Sequence, residues 1–253
     1  MKHITLLLVL SITSCTSLYV KIPMAVIKAP SVITKDAKEV NLSAAPVKKF
    51  STTNDASRRP PVLISDAAND TVIKGDFNFS VLDHLYYGAG VNSDFGLNMQ
   101  AEYNFINTTS EIQQGWLANV YTVIYYDNTS RKGDQNGLLG PGGNNWKGNI
   151  SLLGGYLGSS AGYRFNKYFM TYAGLAINNF STKTEINQDV SSDGFNLGGQ
   201  YKQQTAGNNR SLGLGFQFDM SMLHLRPGIM WTNFSADQIN QDDFLASLTI
   251  SAY

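Results

Sequence analysis

Cysteine occurs once in the 253 residues, at Cys15, and histidine only three times. A disulfide framework is therefore excluded, and a Cys/His zinc site lacks its ligands, the more so because His3 falls at the extreme N-terminus. Charge is also sparse: 15% of residues are Asp, Glu, Lys or Arg, and the formal net charge is zero. With neither a basic surface nor an acidic tail encoded, no nucleic-acid partner is expected. No apolar run reaches the ~20 residues that a transmembrane helix needs. The glycine-rich stretch Gly140-Pro141-Gly142-Gly143 lacks the Gly-Lys-Ser/Thr ending of a phosphate loop. Asp127, Asp134, Asp237, Asp242 and Asp243 are not linked by EF-hand spacing. No metal and no cofactor is expected.

What is abundant points one way. Glycine, tyrosine and phenylalanine are frequent (23, 13 and 13 residues), a mixture that suits turns between aromatic-rich strands better than helices. Met1, Lys2 and His3 make a short basic start, and residues 4–12 are an apolar run suited to a signal h-region. The run ends in Ile12-Thr13-Ser14-Cys15: a branched apolar residue, two small residues, then cysteine. This resembles the lipobox of bacterial lipoproteins. The resemblance implies that residues 1–14 are a signal peptide and that Cys15 is the lipidated first residue of the mature protein. It also implies passage through the lipoprotein-sorting machinery and a lipid-anchored place in the bacterial outer membrane. Each buried acyl methylene contributes ~0.8 kcal/mol, so a multiply acylated Cys15 is a durable anchor.

Residues 15–70 are rich in Lys, Ala, Ser, Thr and Pro, include Arg58-Arg59-Pro60-Pro61, and carry no sustained period of 2 or 3.6. They read as a lipidated N-terminus and flexible tether. Surface-displayed lipoproteins often carry an acidic cluster just after the cysteine, whereas the first acidic residue here is Asp36, which favours a tether on the periplasmic side.

Residues 71–253 alternate. Phe95, Leu97, Met99, Ala101, Tyr103 and Phe105 share one face, with Gly96, Asn98, Gln100, Glu102 and Asn104 on the other. Leu212, Leu214, Phe216, Phe218 and Met220 likewise oppose Ser211, Gly213, Gly215, Gln217 and Asp219. Such two-faced segments have the length of a tilted transmembrane strand, ~9–11 residues. Residues 116–126, 168–180, 223–231 and 244–252 read as further strands, and 148–165 as a longer one with glycines that suit a bulge or close approach. Tight connections (Asn166-Lys167 and Ser221) alternate with long polar ones (127–147 and 181–209). The expectation is an all-β fold, an antiparallel up-and-down β-barrel of about eight strands running from near Leu85 to Tyr253, with residues 72–81 left over.

From about residue 70 the chain resembles small outer-membrane β-barrel proteins, and the aromatic C-terminus Tyr253 looks like the residue that the barrel-assembly machinery favours. The resemblance implies outer-membrane lipid as the surrounding solvent. It also implies an interfacial girdle from Tyr86, Tyr87, Tyr103, Phe105, Trp116, Tyr125, Tyr126, Tyr168, Phe169 and Trp231. On the polar faces, Glu102, Arg164, Asp219 and Arg226 are expected to pair across the lumen as a structural network. Ser80, Asp83 and His84, or Ser221, Asp219 and His224, could be written as nucleophile, orienter and base, but neither spacing is one that catalytic geometry demands.

Three functions follow. The first is a non-catalytic outer-membrane lipoprotein barrel whose polar loops serve surface interaction or a structural role. The second is a lipid-tethered soluble barrel holding an apolar ligand, as lipocalin-like proteins do. The third is a lipid-modifying barrel enzyme. The direction of Phe95, Leu97, Phe216 and Phe218 separates the first two.

Overall fold

The computed structural model describes residues 19–31, 34–51, 68–94, 96–106, 114–136, 143–192, 195–196, 199–220, 222–236 and 239–252. Residues 1–18, which include the expected signal peptide and Cys15, therefore lie outside the description, as do Phe95, Ser221, Asp237 and Tyr253. Secondary structure among the described residues is strand and turn. The strands are β1 (Tyr19–Pro23), β2 (Lys38–Ser51), β3 (Ala68–Leu82), β4 (Leu85–Asn92), β5 (Leu97–Ile106) and β6 (Gly115–Asn136). They continue with β7 (Gly143–Asn166), β8 (Phe169–Ser192), the two-residue β9 (Phe195–Asn196), β10 (Gly199–Met220), β11 (Leu223–Ala236) and β12 (Ile239–Ala252).

All pairings are antiparallel, in the order β2-β12-β11-β10-β8-β7-β6-β5-β4-β3, and β3 pairs back to β2, which closes a ring of ten strands. β1 adds to β2, and β9 pairs only with the end of β8. The expected count of eight is thus short by one hairpin, and that hairpin is β2–β3. Residues 72–81, left over in the sequence, belong to β3, and the first strand of the ring is not the one near Leu85 but β2.

β2 lies inside the segment read as a tether, which the structure corrects for residues 19–31 and 34–51. Its outward residues Val40 and Leu42 are exposed and its inward residues Glu39 and Asn41 are buried, the same alternation as in the other strands. That pattern was hidden because the outward set is short and continues into Ala44 and Pro46, and because Lys48 and Lys49 give the stretch a linker composition. Residues 52–67, including Arg58 to Pro61, lie outside the description.

The second correction concerns the long polar connections. Most of 127–147 and 181–209 is not loop: β6 runs to Asn136, β7 starts at Gly143, β8 runs to Ser192 and β10 starts at Gly199. These four strands stay in register, for example Asn128 opposite Ser151, Ser151 opposite Lys183 and Lys202 opposite Glu185. They form a sheet extension beyond the ring at the end opposite the tight turns. Thr182, Thr184 and Ile186 supply the β-branched residues that favour strand, while polar residues on the outward face erase the hydrophobic period.

The ring presents a band of apolar side chains outward, bounded at the extension end by a polar row. Outward residues change from apolar to polar at Asn128, Asn179, Arg210, Asn233 and Asp242, and the last three are direct neighbours across the strands. On β10 the apolar run from Leu212 to Met220 corresponds to ~20–25 Å of height for a tilted strand. Inside, large side chains settle over glycines of the next strand: Tyr121 lies opposite Gly158 and Tyr172 opposite Gly215.

A Cβ at Gly158 would sit 2.4 Å from the Tyr121 ring, whereas one at Gly75 would meet nothing within 4 Å. Gly158→Ala is therefore expected to cost about 1–3 kcal/mol by overpacking. Gly75→Ala should change stability by less than about 0.5 kcal/mol. Denaturant unfolding of the detergent-refolded protein, followed by circular dichroism, compares the two.

Candidate functional site

The lumen is the site that the fold builds. A ten-stranded ring is wider than the eight-stranded one, whose interior side chains alone would just fill, and here the added room is occupied by the chain's own N-terminal segment. Val20, Ile22, Met24, Ala25, Ile27 and Ala29 are all buried. Segment 24–31 is extended without belonging to the sheet, so its backbone groups find partners on the wall. Met24 N donates to Pro46 O at 3.2 Å, and Asn178 Nδ2 donates to Pro23 O at 2.9 Å. Ala25 N donates to Asn209 Oδ1 at 3.2 Å. Tyr121 Oη donates to Val26 O at 3.1 Å and accepts from Lys28 N at 3.3 Å. Ser160 Oγ donates to Lys28 O at 2.5 Å, and Asn104 Nδ2 donates to Ser31 O. Ile27 sits against Gly174 and Gly213, where added Cβ atoms would come within 2.6 and 2.9 Å of it.

The walls differ in character. Toward β6, β7, β8 and β10 the segment meets Tyr121, Tyr125, Tyr156, Met170, Tyr172 and Phe180, which with Ile27 form the apolar core. Toward β2–β5 it meets polar side chains, and a cavity of about 100 Å³ remains there, lined among others by Lys28, Asp76, Asn98, Gln100 and Arg226.

All four residues expected in a lumen network face inward. Arg164 pairs with Asp219 at 3.2 Å, and Gln217 Nε2 donates to Asp219 Oδ1 at 2.7 Å. Arg226 Nε donates to Gln217 Oε1 at 2.9 Å, while Arg226 Nη1 bonds Glu39 at 3.0 Å and Ser251 Oγ at 2.8 Å. From Glu39 the chain of contacts runs through Asn78 (3.2 Å) and Gln100 (2.5 Å) to Lys28 (3.0 Å). Lys28 pairs with Glu102 at 3.3 Å, and Asn119 Nδ2 donates to the same carboxylate at 2.8 Å. Glu102 thus pairs with the lumen segment, and Arg164–Asp219 and Arg226–Glu39 run along the wall rather than across it. Sequence reasoning missed Lys28 and Glu39, both inside the supposed tether. The Glu39/Asn41 against Val40/Leu42 alternation was the signal that could have found Glu39. An extended, non-sheet segment leaves no period by which to find Lys28.

At the extension end, Lys21 of β1 bridges Asp70 (3.3 Å) and Asp94 (3.0 Å), and buried Lys48 meets Asp243 at 2.6 Å. Burial works against the Lys21 charge, but the hydrogen bonds and charges of Asp94 and Asp70 outweigh it and raise its pKa. The Thr71 amide and Lys21 hold Asp70 below its ordinary value. Of the residues considered for catalysis, Ser221 lies outside the described residues, and Asp219 and His224 are in contact within the lumen network. Ser80 Oγ donates to Leu82 O at 2.5 Å, and Asp83 accepts from Lys35 N at 2.7 Å. His84 occupies a turn at φ 72°. His224 Nδ1 meets Asp219 and Gln217 in the lumen network. Among the described residues no group of three or more His, Cys, Asp or Glu suits a metal ion.

Leu97, Phe216 and Phe218 point outward and are exposed, while Asn98, Gln100, Gln217 and Asp219 are buried inside. A lipocalin-like cavity requires the reverse. Of the expected girdle, Tyr87, Tyr103, Phe105, Trp116, Tyr126, Tyr168 and Trp231 are outward, but Tyr86 and Tyr125 are buried. Those two fall on the inward parity of β4 and β6, which adjacency to Tyr87 and Tyr126 obscured. Around the turn end the rings are contiguous: Trp116–Tyr163 (5.3 Å), Tyr163–Phe165 (5.1 Å), Phe165–Phe169 (5.7 Å) and Phe169–Phe218 (5.3 Å).

No protein-family model matches the chain, and no curated protein matches its sequence. Among solved structures it is similar to Ail, the attachment invasion locus protein of Yersinia pestis, at 12% identity over 87% of this chain and 99% of that one, with a TM-score of 0.35. It is also similar to the outer membrane protease OmpT from Escherichia coli, at 9% identity over 86% and 90% of the two chains, with a TM-score of 0.42. The copper transporter OprC matches at 11% identity over 91% of this chain and 47% of its own, with a TM-score of 0.34. Identities and scores this low carry no residue, activity or ligand to this chain.

Replacing Lys28 by Met leaves Glu102 buried without its cation, at an expected cost of about 1–3 kcal/mol. Adding Glu102→Gln should recover part of that loss, which hydrogen exchange of segment 24–31 and unfolding midpoints report together.

Proposed function

We propose that this protein is a non-catalytic outer-membrane β-barrel lipoprotein, anchored through Cys15 and closed by its own N-terminal segment. In this reading the polar extension of β6, β7, β8 and β10 serves surface interaction or a structural role. The observation that carries the proposal is the sidedness of the ring. Outward apolar side chains such as Leu97 and Leu212, each more than half exposed, surround an interior of Asn, Gln, Glu and Arg. In water that band would be a large apolar liability. In a bilayer it is the required surface, and closing the sheet into a ring pairs the strand backbones with one another, with β12 meeting β2 over Leu248–Ala252. The aromatic rings at the turn end suit the headgroup level. The fold implies the barrel-assembly machinery as a partner, and the lipobox implies lipoprotein sorting.

The test is fractionation followed by electrophoresis. The full-length protein is expected to stay with outer membranes through a carbonate wash and to change mobility on boiling. Release as a soluble, non-heat-modifiable protein on Cys15→Ser would replace the inserted barrel with a tethered one. Catalysis has its own check: His84→Ala and His224→Ala are expected to leave the acyl-chain composition of outer-membrane lipid unchanged, and a change with either would reinstate the lipid-modifying reading.

A further inference from the structure

We propose that the chain enters its own barrel from the extension end, so that the acyl group on Cys15 lies in the leaflet surrounding that end, the one facing the medium. The inference rests on the membrane-spanning, lipid-anchored reading above and adds the side on which the anchor sits. It reverses the periplasmic tether expected from the lack of early acidic residues.

Register fixes the direction of threading. β1 is antiparallel to the far end of β2, with Tyr19 opposite Ser51 and Pro23 opposite Val47. The segment therefore runs into the lumen where β2 runs out of it. Pro23 and Ala25 are held by Asn178 and Asn209, next to the outward polar row at Asn179 and Arg210. Lys28 lies deeper, on Gln100 and Glu102, and Ser31 deeper still, on Asn104. At the opposite end Lys35 N donates to Asp83 Oδ1 in the β3–β4 turn at 2.7 Å, and Asp36 N donates to Ser80 O at 3.1 Å. The last residue of β12, Ala252, pairs with Leu223 and Val40 at that same turn end.

Tyr19 and Ala252 therefore mark opposite ends of the barrel. Four residues of chain link Cys15 to Tyr19, a reach of at most ~14 Å even fully extended. The apolar band to be crossed is ~25 Å tall. Only the leaflet at the extension end is within reach. An anchor in the other leaflet would require β1 to leave β2, the Lys21 bridges to Asp70 and Asp94 to break, and segment 24–31 to withdraw from the lumen.

The experiment uses the full-length protein in intact cells and a membrane-impermeant maleimide. Three single substitutions are compared with wild type: Ser17→Cys before β1, Asn187→Cys on the extension, and Lys167→Cys in a tight turn. Cys15 is the sole native cysteine, so an acylated chain supplies no background. Ser17→Cys is expected to label on intact cells as fully as Asn187→Cys, with Lys167→Cys labelling only after permeabilisation and wild type not at all. Labelling of Ser17→Cys only after permeabilisation, while Asn187→Cys labels on intact cells, overturns the inference and leaves the barrel reading standing. Protection of Asn187→Cys with labelling of Lys167→Cys overturns the orientation itself. Labelling of wild type removes the acyl group from the proposal.

Discussion

Backbone hydrogen bonding behind an apolar outer face governs everything else in this molecule. A strand whose N–H and C=O groups face hydrocarbon without partners costs several kcal/mol per group, so a sheet with an outward apolar band has to close on itself. Here closure depends on β2, which pairs with β12 on one side and β3 on the other. Without it the sheet would have two long unpaired edges. Lys38–Ser51 offers a short outward apolar set, Val40, Leu42 and Ala44, yet its backbone is the one the ring cannot do without.

Ring size then determines the interior. Two strands beyond eight open a space that wall side chains do not fill, and the chain fills it with its own preceding residues. The filling is two-sided. Against β6–β8 and β10 it packs Ile27 onto glycine backbone and among tyrosines, as a protein core does. Against β5 it presents Lys28 to Gln100 and Glu102, which ties the segment into a polar network reaching Arg226 and Arg164 through Glu39. Shape and charge therefore specify one register for the segment: sliding it by one residue would take Lys28 from Glu102 and Ile27 from its glycines at once.

How far the sequence discloses this depends on how many kinds of environment each stretch meets. β5 and β10 each have an apolar outward face and a polar inward one, so Leu97/Asn98 and Phe218/Gln217 alternate plainly. The charges on their polar faces, Glu102 and Asp219, were legible for the same reason. The extensions of β6–β8 and β10 have polar residues on the outward face, so residues such as Asn128 and Lys183 look like loop. β2 alternates over too few outward residues to stand out from its lysines. Segment 24–31 touches apolar wall and polar wall along its length and belongs to no ladder, so its residues follow no period, and Lys28 in a linker-like context carries no sign that it will pair with Glu102.

The position of the lumen segment in the chain has a consequence for assembly. Residues 24–31 precede β2, and β2 joins β12 at the far end of the sequence, with Ala44 opposite Leu248. That seam is the pairing of greatest sequence separation in the ring, and the loop-closure entropy it must overcome makes it a late event. An occupant that enters a finished cylinder has to travel its length. One already lying along β6–β8 can instead act as the former around which the last staves are drawn shut.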